Sequence, residues 1–303
     1  MEFSRNDGLS TVFVAMAALF WGLSGGIGGI LIAQGWGPFL VAFFRGAMGL
    51  IFFAGWLMLQ PRRSGLASRP LWFWSTIAGL GVAGNFSFYS ISIEQGSVAV
   101  AATLMYSAPV FVYVASFLLR LERATPLKCV AIAVVMSGIV LLTGIYDVDA
   151  ATITVAGVSA GLLAGLSYAV FIFGFKYAAP HGSPQAILLV AFAVLVVVLL
   201  GPARVDQVAA VFHSDDWPLF AMLGLLGAGV SFIFYIVGLR RTAPAVAAVV
   251  AMVEPVIATL FGVVVLTESL DSLQVFGMGL IMVTVTALSV DSGARRRIRR
   301  RHR

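Results

Sequence analysis

The chain has 303 residues, of which 60% are apolar before its 32 glycines are counted, and only 11% are charged. Water-soluble domains carry about 25% charged residues, so this composition cannot cover a globule with polar groups, and the mean hydropathy of +1.02 points to lipid as the solvent. A cytosolic enzyme and a disordered chain are excluded, and the lone Cys129 excludes an internal disulfide framework.

An apolar helix needs about 20 residues to cross a bilayer. Ten runs are candidates: roughly 9–32, 38–59, 71–93, 97–119, 126–144, 153–175, 184–201, 217–239, 244–266 and 272–290, numbered here as spans 1 to 10. The first follows Glu2 and Asp7 and lacks a basic leader with a small-residue cleavage site, so it reads as a retained helix. The N-terminus and the loops after spans 2, 4, 6 and 8 hold ten Lys and Arg, among them Arg62, Arg63, Arg123, Arg240 and Arg241. The opposite loops hold Arg204 alone, beside acids such as Asp147, Asp216, Glu268 and Asp271. By the positive-inside rule both termini are expected in the cytoplasm. The tail 291–303, ending RRRIRRRHR, accounts for the net charge of +6 and reads as a topology anchor on anionic lipid headgroups. It has neither the folded reader nor the aromatic platform that nucleic-acid binding needs.

Shifting the chain by 146 residues aligns Gly81–Glu122 with Gly227–Glu268 without a gap, with identities that include Phe86/Phe232, Tyr89/Tyr235, Ala101/Ala247, Pro109/Pro255 and Glu122/Glu268. The match indicates an internal repeat, with units at 9–146 and 153–290. Five spans per unit is an odd number, so the second unit enters the membrane from the opposite side. Inverted repeats suit secondary transporters, which expose a midplane site to each side in turn. The expected fold is therefore an all-α membrane protein of ten helices, two inverted five-helix repeats around a central cavity. Pro109 and Pro255 fall near the middle of spans 4 and 9, where each deprives the carbonyl four residues back, on Met105 and Ala251, of its helical partner. They read either as packing kinks or as hinges lining a cavity.

The segments FSFYSISIEQGSVAVAATLMYSAPVF, followed by LERAT, and FIFYIVGLRRTAPAVAAVVAMVEPVIA, followed by LTES, resemble the duplicated EamA domain of the drug/metabolite transporter superfamily. The likeness covers nearly the whole chain and includes Trp21-Gly22 in a glycine-rich first span and an arginine in the second. It implies ten helices, a central substrate cavity, and export of amino acids, related metabolites or toxic compounds. Among the branches, the chain looks closest to bacterial exporters of aromatic amino acids, which implies the inner membrane.

Two full charges lie well inside spans, Arg45 and Glu254, and neither recurs in the other unit. Ionisable residues within a bilayer are costly and mark function by default. Glu254 can hold a substrate ammonium, carry a proton, or simply hydrogen-bond a neighbouring helix. Arg45 either snorkels to the interface or pairs with a substrate carboxylate during gating. Asn85 and Tyr89 with Ser92 on span 3, Tyr235 with Ser231 on span 8, and Tyr106 with Thr103, Val110 and Tyr113 on span 4 form stripes at helical spacing. Trp21, Tyr168 and Phe171 add flat apolar surface on which a ring can stack. Glu122 and Glu268 recur at helix ends and read as caps or partners of nearby cations. The expected partners are a small-molecule substrate and membrane lipids, with the chain a monomer or weak homo-oligomer. His181, His213 and His302 all lie in loops or the tail, and no HExxH or phosphate-binding loop occurs. No cofactor or metal is therefore expected, and a multidrug or organic-cation exporter and a channel remain the competing readings.

Overall fold

The computed structural model describes residues 5–61, 64–121, 125–149, 153–203 and 205–301, with side chains left undescribed at 5–8, 205–206 and 291–301. Arg62, Arg63, Glu122, Arg123, Arg204 and His302, and the side chains of the basic tail, thus lie outside the described residues. Among the described residues all regular structure is helical, with nine helices long and apolar enough to cross a membrane and Pro184–Leu200 a shorter tenth. The molecule is a multi-pass membrane protein.

Polar caps and prolines start these helices. Thr125, Thr154 and Ser183 accept from the backbone N–H groups of Lys128, Gly157 and Ala186, and Pro38, Pro126, Pro184 and Pro244 occupy first positions, where no N–H is needed. Span 5, Pro126–Thr143, stops at Gly144, whose φ of +64° closes its last turn in a left-handed conformation. Spans 4 and 9 are each broken: Val98–Met105 is followed by Ala108–Leu118, and Pro244–Ala251 by Val253–Val265. Each first half ends on the residue four before its proline, where the missing N–H leaves the ladder without a rung. Span 8 is irregular in another way. A π-helical turn at Leu225–Val230 joins Trp217–Gly224 to Ser231–Leu239.

The packing partners of the two halves correspond when five is added to each span number. Span 3 (Arg69–Glu94) lies along span 6 (Val155–Ala178) and against span 7, while span 8 lies along span 1 (Arg5–Ala33) and against span 2 (Pro38–Leu59). Span 4 packs on span 6 and span 9 on span 1; spans 2 and 7 pair, as do spans 5 and 10 (Ser272–Arg301). Glycine makes the closest approaches possible. A Cβ on Gly165 would stand 2.9 Å from the Leu104 carbonyl and one on Gly22 2.6 Å from that of Glu254, so spans 6 and 1 seat directly on the broken segments. Asn85 and Ser92 fasten span 3 to span 6 through the carbonyls of Ala164 (3.0 Å) and Gly157 (2.7 Å).

Candidate functional site

A cavity of about 720 Å³ runs up the middle of the bundle. Its upper rim is made of Ala33, Pro38, Val98, Thr143, Leu266 and Glu268, residues at the span ends away from the termini. Its base lies near the breaks in spans 4 and 9, so the cavity opens at the end opposite the termini and is closed toward them.

The closure is aromatic. Trp21 lies 4.9 Å from Tyr235 and 5.1 Å from Phe232 between ring centroids, Tyr168 lies 4.4 Å from Phe171, and Phe175 and Phe192 extend the cluster through Phe232 at 5.8 and 4.9 Å. These rings come from spans 1, 6, 7 and 8, and all are buried. Three polar atoms within the cluster, Trp21 Nε1 and the hydroxyls of Tyr168 and Tyr235, have no hydrogen-bond partner among the described residues.

Above this floor stand the two intramembrane charges. Arg45 turns into the cavity; its Nε donates to the Gly227 carbonyl at 3.1 Å, and its guanidinium carbon sits 5.0 Å from the centre of the Phe86 ring. The π turn of span 8 thus presents a backbone oxygen that an arginine satisfies. Glu254 stands on the wall at the break in span 9, with the Tyr106 hydroxyl within its hydrogen-bonding reach. The two charges act on one another across the cavity, and among the described residues they form no direct ion pair.

The wall takes in Trp21, Asn85, Tyr89, Tyr106, Tyr168, Phe171 and Glu254, together with Arg45 and Pro255. Tyr235 lies beneath Trp21, fully buried, and Pro109 is buried at the start of the second half of span 4, off the wall. The span 4 stripe does not share one face. Thr103 and Tyr113 both meet span 5, through Thr143 at 2.6 Å and Cys129 at 3.3 Å, whereas Tyr106 lines the cavity and Val110 is exposed. The structure adds Ser24, Phe86, Phe232 and Phe261 to the wall. Phe86 and Phe232 were visible as a repeated pair but carry no polar atom to single them out. Glu268 lines the cavity mouth, with no cation paired to it among the described residues.

Compared with known proteins, the sequence matches the EamA-like transporter family twice, over residues 9–144 and 155–290. An uncharacterized transporter of Archaeoglobus fulgidus is 29% identical over 69% of this chain and 74% of its own length. The threonine/homoserine exporter RhtA of Escherichia coli K12 is 24% identical over 77% of this chain and 74% of its own. A solved crystal structure superposes with a TM-score of 0.73 at 19% identity, covering 94% of this chain and 98% of that one, and shares its fold.

Proposed function

The chain belongs to the EamA-like transporter family, and we propose that it is a secondary exporter of neutral amino acids, aromatic ones foremost, working by alternating access in a bacterial inner membrane. The observation that carries this reading is the pair of opposite charges, Arg45 and Glu254, lining one cavity above an aromatic floor. A zwitterion answers both. Its carboxylate pairs with the Arg45 guanidinium, its ammonium with the Glu254 carboxylate, and each buried charge gains the partner that a low-dielectric site demands. A ring in the side chain stacks on Trp21 and Phe171, at roughly 0.5–1.5 kcal/mol per contact. The cavity falls within the range of about 300–1,000 Å³ common to small-molecule sites.

Alternating access rests on reading the halves as inverted, which five spans per half and the exchange of packing partners both support. The Lys and Arg bias supports termini in the cytoplasm. In that orientation this is an outward-open state, sealed toward the cytoplasm by the aromatic cluster. With no nucleotide-binding motif in the sequence, a gradient must drive transport, either the substrate's own or a proton gradient exchanged through Glu254. The name of the RhtA relative favours a second reading, in which the cargo is threonine or homoserine.

Counterflow of the twenty amino acids and a few cationic drugs into proteoliposomes separates these readings. Phenylalanine, tryptophan and tyrosine should exceed threonine and cysteine; the reverse order favours the second reading, and counterflow of none of them refutes both. Glu254→Gln should cut transport about tenfold or more with folding intact, the loss of one charge-assisted contact worth roughly 1.5–3 kcal/mol. Transport unchanged at every pH removes Glu254 from the mechanism.

A further inference from the structure

Glu268 follows span 9 and reads in sequence as a helix-end cap. Its backbone does cap: the N–H donates to the Gly262 carbonyl at 3.2 Å. The side chain does something else. The turn reverses at Thr267, a β-branched residue held in the left-handed region at φ +58°. A left-handed residue closes a helix C-terminus in this way, and Arg120 at φ +55° does the same at the end of span 4. The reversal folds the Glu268 carboxylate back against Gly262, where a Cβ would collide with its Oε2, and sets it on the cavity mouth. Gly262 lies eight residues beyond Glu254 on the same helix, about 12 Å at 1.5 Å per residue. Between them Ala258 and Thr259 line the cavity. The lining therefore carries one cation, Arg45, and two carboxylates at different depths, one by the floor and one at the mouth.

Resting on the amino-acid reading above, we propose that Glu268 is an outer subsite for the ammonium group of the substrate: an outgoing amino acid leaves Arg45 and Glu254 and is held by Glu268 before release. The step leaves the cationic head within reach of a carboxylate on its way out of the low-dielectric interior. At the mouth, water screens the new pairing, so it holds more weakly than the pairing at Glu254 and release follows.

Glu268→Gln tests this, because it keeps the backbone cap and the side-chain volume and removes only the charge. KM for radiolabelled L-phenylalanine and L-threonine is measured in right-side-out and inside-out membrane vesicles. The subsite predicts KM raised about fivefold from the mouth side, the size of one solvent-screened charge pair, with KM from the opposite face unchanged and the maximal rate from that face lowered in proportion, because the two directions share one equilibrium. Glu268→Asp should restore most of the loss. Inhibition by 3-phenylpropionate, which lacks the ammonium, should be the same in wild type and variant. An equal rise from both faces, or no rise, overturns the subsite while leaving the amino-acid reading standing. Failure of the wild-type protein to carry either amino acid overturns both.

Discussion

Tyr235 and Tyr89 occupy equivalent places in the two halves, 146 residues apart, yet their surroundings differ. Tyr89 lines the open cavity; Tyr235 is fully buried beneath Trp21 and its hydroxyl has no partner among the described residues. An orphaned buried hydroxyl costs roughly 1–3 kcal/mol. On the proposed alternating-access cycle the floor opens, and groups without partners when it is shut then gain water or substrate. Tyr235→Phe should therefore raise stability by about 1 kcal/mol, read by thermal unfolding in detergent, and slow transport by holding the floor closed. A drop in stability would mean that the hydroxyl is bonded. At this scale the sequence was informative about type and face, because ionisable and polar aromatic residues are conspicuous in apolar spans. Depth was not legible: helical spacing assigns Tyr235 and Tyr89 the same face and cannot tell that a conformational difference puts one under the floor and the other on the wall.

Helix breaks were legible from Pro109 and Pro255, because a missing N–H has a fixed address four residues upstream, and both first halves end there. The π turn in span 8 had no such signature, since its carbonyl partner, Arg45, comes from span 2. Which glycines of spans 1 and 6 make close approaches was not legible in the sequence. Gly165 touches the break in span 4, whereas Gly29 faces open space on the cavity wall. Gly165→Ala should thus destabilise the protein by about 1–3 kcal/mol, the usual cost of overpacking, and Gly29→Ala, in a helix interior with open space for the methyl, should be neutral or stabilising by up to about 1 kcal/mol; chemical unfolding that ranks them equally would contradict this packing. At the start of span 10, the Gln274 backbone N–H (2.7 Å) and then the Tyr146 hydroxyl (3.0 Å) hold the Asp271 carboxyl below the usual carboxylate range. A depressed value means stability that is present above the unfolded pKa of about 3.9 and is lost as pH falls through the lower folded one. Asp271→Asn should accordingly lower the melting temperature at pH 7, with the gap to wild type closing in acid; a gap independent of pH would assign the loss to something other than ionisation.

Over the whole molecule, the duplication was the most legible feature, because aligned identities survive even in an apolar sequence where composition blurs everything else. The state of the cavity was not legible, since on the proposed cycle one sequence serves both the open and the closed arrangement of each half. The partner exchange between spans 3 and 6 and spans 8 and 1 keeps the connectivity of the halves alike, while Tyr89 and Tyr235 record their difference. Opening the floor and closing the mouth would interchange the two environments, which is how two similar units of opposite sense can present one site to either compartment. That account stands on the opposite sense of the halves. Its most direct test uses Gln95 and Arg241, exposed residues 146 apart at the ends of spans 3 and 8. Each is replaced in turn by cysteine in a Cys129→Ser background and exposed, in intact cells, to a membrane-impermeant thiol reagent. Labelling from outside at position 95, and at position 241 only after the membrane is breached, is the predicted result; reaction of both from the same side would contradict the inversion and the transport cycle built on it.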